Sequence, residues 1–200
     1  MAFPSTAIID NFNQADGPLG AGWTADVRGS GHAMPQTTSN QVSQTAGSSR
    51  RSAFRTTAVT GGRAEVYFTI TTAPTDQSVV LGFYYTPGSA GATDGYELGF
   101  NSSGVITLDE FANDYATFTT HYTSAGSAFT AGDVVGMLKD DGAGSIEIYK
   151  NGNLVTTVTS STYTGAVNIG FSVRGNAAVD DFGGGAVAPV VRHLGLLGVG

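Results

Sequence analysis

The chain has 200 residues, of which 29 are glycine and none is cysteine, and its 9 basic and 16 acidic residues give a net charge of -7. The lack of cysteine excludes a disulfide framework, thiolate metal sites and a cysteine nucleophile. The acidic balance argues against nucleic-acid binding, because phosphate contacts need clustered Lys or Arg side chains.

The beginning of the chain carries no targeting pattern. Its first ten residues have neither a basic region nor an apolar stretch, so they do not resemble a secretory signal peptide. No apolar run approaches the ~20 residues that a membrane-spanning helix needs. We therefore expect a soluble protein that binds no membrane.

Alternation of polar and apolar residues with a period of two predicts strands that each bury one face. In residues 62–71, Ala64, Val66 and Phe68 lie on one face, and Glu65 and Tyr67 lie on the other. The same pattern predicts strands near 78–86, 95–101, 104–110, 115–122, 133–139, 145–150, 153–160 and 167–174. Residues 28–51 are rich in Ser, Thr, Gln and Gly and are predicted to form a long surface excursion.

The punctuation between these strands predicts antiparallel hairpins. Asn151-Gly152 suits a type I′ turn, which needs positive φ at both central positions. No segment has a sustained 3.6-residue apolar stripe, so the fold class is all-β. Packing two sheets is the commoner way to cover both apolar faces, and we predict an antiparallel jelly-roll β-sandwich over residues 1–185.

Several segments resemble the concanavalin A-like (laminin G-like) lectin and glucanase family of jelly-roll domains, of the kind found in phage virion proteins. The resemblance spans about residues 6–185 and rests on the opening segment Ile9–Trp23 and on the closing segments Phe129–Gly136, Ile146–Gly152, Val167–Phe171 and Val179–Phe182. It implies the fold rather than a function, because this fold hosts lectins, glycanases, adhesion modules and viral proteins.

The glucanase members of the family carry two carboxylates on one strand face, and no such pattern is present here. The four glutamates, Glu65, Glu97, Glu110 and Glu147, are widely separated in the sequence. Asp109 and Glu110 are adjacent, but adjacent strand residues point to opposite faces and cannot flank one glycosidic bond. We therefore predict that the protein is not an enzyme.

Jelly-roll domains of this family often hold one calcium ion where the first and last strands meet. Asp10 and Asp181, or Asp180, would lie close together there and could supply oxygen ligands. The alternative is that Asp10 serves a turn and that Asp180-Asp181 is a solvated strand end. Calcium is the only cofactor that the sequence suggests.

Exposed aromatic rings could serve as stacking platforms for a glycan. Tyr84, Tyr96 and Tyr115 are candidates by residue type. The alternative is that these tyrosines are core residues, since they lie on alternating strand faces.

The last segment, 186–200, is an apolar C-terminal arm that follows Gly183-Gly184-Gly185, which we interpret as a hinge. A free apolar strip marks an interaction site, and we expect an extended arm that adds to a neighbour's sheet or fills a groove. The alternative is that it folds back on its own domain. The residues predicted to dock on a partner are Val190, Val191, Leu194, Leu196, Leu197 and Val199.

These features lead to two main functional hypotheses, with a degenerate glycanase as a third. The first is a non-enzymatic structural protein of a phage-like virion, made in the host cytoplasm, as a capsid decoration, head-fibre or tail component. It would form a homo-oligomer, a trimer by our expectation, would anchor to other virion proteins through its arm, and would contact cell-surface glycans. The alternative is a carbohydrate-binding or adhesion module of an extracellular protein.

Overall fold

The computed structural model describes residues 2–26, 33–44, 50–75, 79–85 and 92–188. Regular structure in these residues consists of β-strands, and two antiparallel sheets form a sandwich, which confirms the predicted fold class. In this part of the chain no helix is long and apolar enough to cross a membrane.

Sixteen strands are found in the described residues and are numbered in chain order. The first sheet runs β14 (Asn153–Thr159), β13 (Ser145–Lys150), β12 (Val134–Asp140), β7 (Arg63–Thr72), β16 (Ala178–Ala186), β5 (Val42–Ser43), β4 (Gln36–Thr37), β2 (Gly17–Pro18), with β1 (Ile8–Asp10) also paired to β16. The second sheet runs β11 (Thr117–Thr123), β10 (Ile106–Ala112), β9 (Gly95–Phe100), β8 (Val79–Tyr84), β15 (Asn168–Val173), β6 (Arg51–Arg55), β3 (Trp23–Ala25).

The core lies between the two sheets and is built from the alternating apolar positions. Its aromatic centre is Trp23, which is 7% exposed and packs edge-on against Phe171 and Phe182 at ring-centroid distances of 5.2 and 5.0 Å. Phe171 belongs to the second sheet and Phe182 to the first, so Trp23 joins the sheets near the point where β1 pairs with β16. Edge-on aromatic contacts of this kind stabilise a core beyond their buried area.

Strand β7 is buried on both faces, which the sequence pattern did not predict. Glu65 and Tyr67, on the face opposite the core, are 0% and 4% exposed. Residues 2–7 lie across this outer face, and the hydroxyl group of Tyr67 donates to the carbonyl oxygen of Thr6 at 2.9 Å. The predicted solvent face of β7 is therefore an interface with the N-terminal segment.

The structure corrects the prediction of a hinge at Gly183–Gly185. These glycines continue β16, where Gly183 pairs with Tyr67 and Gly185 with Glu65. A Cβ atom on Gly183 would lie 2.1 Å from Cζ of Tyr67, so the glycine leaves room for the tyrosine ring. Glycine at this position serves close packing, not flexibility.

Two further predictions concern local segments. The Asn151-Gly152 turn is confirmed, with φ values of 50° and 78°. The excursion at 28–51 is corrected in part, because β4 and β5 within it extend the first sheet.

Strand β16 ends at Ala186, and the next residue is still packed on the domain. Val187 is 6% exposed and donates its N–H group to the carbonyl oxygen of Arg63 at 3.1 Å. The six residues predicted to dock on a partner lie outside the described residues: Val190, Val191, Leu194, Leu196, Leu197 and Val199.

Candidate functional site

The outer face of the second sheet carries an exposed aromatic ring beside a row of polar side chains. On β10 and β11, Phe111 pairs with Phe118, and Asp109 pairs with Thr120. Directly opposite residues of antiparallel strands share a face of the sheet. Asp109 also pairs with Glu97 of β9, so Thr120, Asp109 and Glu97 form one polar row next to the phenylalanine row.

Phe118 is the most exposed large hydrophobic side chain of the described residues, at 66%. It lies on β11, the edge strand of the second sheet, where no further strand among the described residues pairs with it. Phe111, its cross-strand partner, is 1% exposed and stacks on Tyr115 with ring centroids 4.4 Å apart and planes 13° apart. The exposed ring of Phe118 thus continues an ordered aromatic strip.

Asp109 is the charged group of the polar row that lies nearest to this strip by register. Its carboxylate is half-buried and accepts a hydrogen bond from the Thr120 hydroxyl group at 2.5 Å. Burial raises the pKa of Asp109, and the Glu97 carboxylate adds to the rise, while hydrogen bonds from Thr120 and Thr107 oppose it. A partly desolvated carboxylate with remaining acceptor capacity can bind a hydroxyl donor of a ligand.

Glu97 occupies the inner end of the same polar row. It is 2% exposed, accepts a hydrogen bond from the Tyr84 hydroxyl group at 3.0 Å, and lies 3.8 Å from a guanidinium nitrogen of Arg50. A buried carboxylate needs such donors to offset its desolvation. Glu97 is therefore held in place by the protein, whereas Asp109 lies closer to the exposed edge.

The three tyrosines predicted as glycan contacts are found in three different environments. Tyr84 is 1% exposed on this outer face, where it donates to Glu97. Tyr96 is 1% exposed and belongs to the main core, where its hydroxyl group is 2.8 Å from the Ser160 hydroxyl oxygen. Only Tyr115 is half-buried, so only its ring has surface that a ligand could reach.

Sequence reasoning missed Phe118 and the pairing of Glu97 with Asp109. The glutamates are widely separated along the chain, whereas strand pairing places Glu97 opposite an aspartate. The signal was present in the turn at Asn101–Gly104, because a hairpin closed there pairs residue 97 with residue 109. For Phe118 the sequence offered one apolar residue among the Thr and His residues of 117–121, but its place on an edge strand follows from the strand order.

The pairing of the first and last strands, on which the calcium prediction rests, is confirmed, since Asp10 pairs with Phe182. Burial, with the nearby Asp181 and Asp10 carboxylates, raises the pKa of Asp180. The oxygens of Asp10, however, accept hydrogen bonds from the indole N–H of Trp23 and the backbone N–H of Phe12, each at 2.8 Å. No group of three or more side chains that could hold a metal is found among the described residues, so the calcium site at Asp10 and Asp181 stays a prediction.

No family model and no curated protein matches this chain, but many solved structures share its fold. A legume lectin-like domain from Entamoeba histolytica is 11% identical with a TM-score of 0.59, covering 84% of this chain and 91% of that one. The carbohydrate-binding module CBM66 from Bacillus subtilis is 13% identical with a TM-score of 0.55, covering 82% and 96%. The exoplasmic domain of VIP36, bound to Ca²⁺ and Man3GlcNAc, is 11% identical with a TM-score of 0.57, covering 84% of each chain.

A structure described as a native glycosidic hydrolase is also similar, with a TM-score of 0.56 and 11% identity over 83% of this chain and 90% of that one. Lectin-like binding domains and glycosidases thus both occur on this fold. At these identities the likeness shows a lectin-like jelly-roll sandwich and leaves function to the site itself.

Proposed function

We propose that this chain is a carbohydrate-binding domain and that its binding surface is the outer face of the second sheet around Phe118 and Asp109. The observation that carries the proposal is the exposed ring of Phe118, which shares a face with the Asp109 carboxylate and the Thr120 hydroxyl group. The lectin-like fold is consistent with it.

The chemistry of a sugar matches this surface. A pyranose ring has an apolar face of C–H groups that packs on an aromatic ring, and hydroxyl groups that donate to carboxylates. Phe118 supplies the first contact, and Asp109 and Thr120 supply polar partners one row away. A few polar groups beside an apolar platform are the usual composition of a small-ligand site.

The charge of the site selects among glycans. Two carboxylates, Asp109 and Glu97, lie in the polar row, and the chain as a whole carries a net charge of -7. Like charges repel an acidic ligand. We therefore propose neutral glycans as ligands, and not sialylated or uronic-acid glycans.

Binding to neutral and acidic oligosaccharides, first by glycan array and then by calorimetry, tests the proposal. Phe118→Ala should weaken binding about tenfold, as expected for the loss of one aromatic stacking contact. Asp109→Asn should also weaken it, because a carboxylate accepts stronger hydrogen bonds than an amide oxygen. The matched control is Leu154→Ala, which removes another exposed apolar side chain, 54% exposed, from the edge of the first sheet.

The outcomes separate clearly. Weaker binding by the Phe118 and Asp109 variants, with Leu154→Ala equal to the parent, supports the site. Equal binding by all variants would mean that the glycan binds at another surface. An array without any glycan signal contradicts the function itself.

A second candidate function, retaining glycoside hydrolysis, is favoured by the pairing of Glu97 with Asp109. Opposite residues on neighbouring antiparallel strands have Cβ atoms about 4.5–5.5 Å apart, which lets their carboxyl groups reach the separation of about 5–5.5 Å that retaining glycosidases use. Burial raises the pKa of Asp109, as suits a general acid, but Glu97 is only 2% exposed and would have to be uncovered to attack a sugar. Binding without hydrolysis is the simpler function of the two.

Reducing-sugar release from neutral glycans decides between them. Release that disappears in both Glu97→Gln and Asp109→Asn would support hydrolysis. No release from a glycan that the chain binds would leave binding alone.

The virion role and the extracellular alternative both stay predictions. Each would bring the domain into contact with cell-surface glycans, so the binding experiments apply to both. The carbohydrate-binding alternative is the one that the fold comparisons favour.

A further inference from the structure

A cavity of about 440 Å³ lies on the opposite side of the sandwich, on the outer face of the first sheet. This volume is within the range of sites that hold a compact ligand. Asp181 and Asn151 contribute polar groups to its lining. Its apolar lining consists of Phe3, Pro4, Ile8, Tyr67 and Val134.

Two features of this cavity are typical of a docking surface. Ile8 at its rim is 50% exposed. The carboxylate of Asp181 makes no hydrogen bond and no ion pair within the described part of the chain. An apolar partner that carries one cation would complement both the exposed side chain of Ile8 and the carboxylate of Asp181.

The chain itself contains a segment of that composition. Residues 189–200, which follow the described part, are mainly Val, Leu and Gly, and Arg192 is their only residue of fixed charge. A guanidinium group is the cation best suited to a carboxylate in partly apolar surroundings. The composition of this segment complements the cavity in both apolar character and charge.

The route of the chain argues against docking in the same molecule. Strand β16 runs along β7 from Thr72 to Ala64, away from the end of the cavity that holds Asp181 and Thr69. The carbonyl oxygen of Ala188 is then held by a guanidinium nitrogen of Arg63 at 2.6 Å. The direct way back across β7 is occupied, because Ser5 and Thr6 lie on Glu65.

We propose that residues 189–200 of one copy dock in the first-sheet cavity of a second copy, with Arg192 paired to Asp181. The proposal is independent of carbohydrate binding, since the two surfaces lie on opposite faces of the sandwich. It gives the predicted apolar arm a definite receptor on the domain.

Light scattering across a concentration series is the first test, with the full chain compared to a truncation after Ala188. The full chain should form an oligomer and the truncation should be monomeric. Asp181→Asn and Arg192→Gln should each weaken association about tenfold, as for a lost charge-assisted hydrogen bond. The double variant should be no weaker than either single one, because each removes the same pair.

Asp180→Asn is the matched control. It removes the same charge one residue away, and the asparagine oxygen can still accept the hydrogen bond from the Asp181 N–H group, so the association should stay unchanged. Asparagine is the suitable replacement at position 181, because Asp181 has a φ of 51°, a conformation that asparagine also tolerates. A monomeric full chain, or a truncation that still associates, would overturn the proposal.

A cross-link distinguishes a second copy from the same molecule. The chain has no cysteine, so Ile8→Cys with Val191→Cys introduces the only two thiols. Oxidation of an equimolar mixture of the two single variants should yield disulfide-linked dimers. If the mixture gives none and the double variant closes only within one molecule, the arm binds its own domain and the proposal fails.

Discussion

The outer faces of the two sheets each place a carboxylate on a long strand, but the surroundings of the two carboxylates differ. On the first sheet, Glu65 is 0% exposed and accepts four hydrogen bonds, from the backbone and hydroxyl groups of Ser5 and Thr6. On the second sheet, Asp109 is half-buried and lies beside the exposed ring of Phe118.

This difference separates a structural carboxylate from one available for binding. The donors of Glu65 come from the chain's own N-terminal segment, so its acceptor capacity is used in folding. Asp109 has threonine hydroxyl groups as neighbours and lies toward an open edge of its sheet. Residues kept for function often reduce stability, whereas residues that anchor a segment add to it.

The largest expected effect is the loss of the Glu65 anchor. Glu65→Ala leaves the Ser5 and Thr6 donors unpaired beneath the N-terminal segment, and we expect the free energy of unfolding to fall by about 3 kcal/mol. Urea unfolding followed by fluorescence measures it. The control is Glu147→Ala, since Glu147 accepts one hydrogen bond, from the Tyr149 hydroxyl group, and should cost about 1 kcal/mol. Equal losses would show that the four hydrogen bonds to Glu65 contribute no more to stability than the single one to Glu147.

A smaller loss is expected where Tyr67 lies over Gly183. In Gly183→Ala the new Cβ atom would lie 2.1 Å from Cζ of Tyr67, so the ring and its hydrogen bond to Thr6 must shift. We expect a cost of about 2 kcal/mol, as for other overpacked sites. Gly20→Ala is the control, because its nearest neighbouring atom would be 3.5 Å away. Thermal unfolding of both variants measures the difference, and equal stability would contradict this account of the glycine.

The contrast between the two faces also marks what could be predicted from the sequence. Alternation and turn residues are local, so they predicted β7 to β15, the Asn151-Gly152 hairpin and the sandwich, but not the short strands β1 to β6. The partners of Glu65 lie 59 and 60 residues away along the chain, and no local pattern indicates that residues 5 and 6 return to β7. Glu97 and Asp109 belong to one hairpin, so their pairing follows from its turn and was open to prediction.

The exposure of the aromatic residues could not be predicted from the sequence in the way that the strands could. Tyr84 and Tyr96 are similar in type, but one belongs to the outer face and the other to the core, and both are buried. Exposure depends on what covers a face, and a single sequence does not reveal that. Phe118 is exposed because it lies on the edge strand, a property of strand order rather than of composition.

Asp109→Asn should change the stability less than the two preceding variants, and it should raise the stability near neutral pH instead of lowering it. Because burial and Glu97 raise the pKa of Asp109 in the folded state, its ionisation destabilises the fold as the pH rises above the ordinary value of 3.8. The variant should therefore match the parent at low pH, become the more stable of the two toward neutral pH, and bind glycans more weakly. Melting temperature measured from low to neutral pH tests the first two expectations.

Phe118→Ala is the control for the pH effect of Asp109→Asn. It also removes a ligand contact, but it carries no titratable group, so its melting curve should stay parallel to that of the parent across the pH range. If Asp109→Asn is less stable than the parent at neutral pH, Asp109 is an anchor like Glu65, and the contrast between the faces is lost.

The smallest expected effect is that of calcium. An ion that binds only the folded state raises its stability by about 2.7 kcal/mol at a concentration 100 times the dissociation constant. Because the oxygens of Asp10 are engaged by Trp23 and Phe12, we expect equal melting temperatures in calcium and in chelator, with magnesium as the ionic-strength control. A calcium-specific rise that is lost in Asp181→Asn would mean that the strand ends rearrange to admit the ion. In that case the Asp181 carboxylate would bind a metal ion instead of a neighbouring chain.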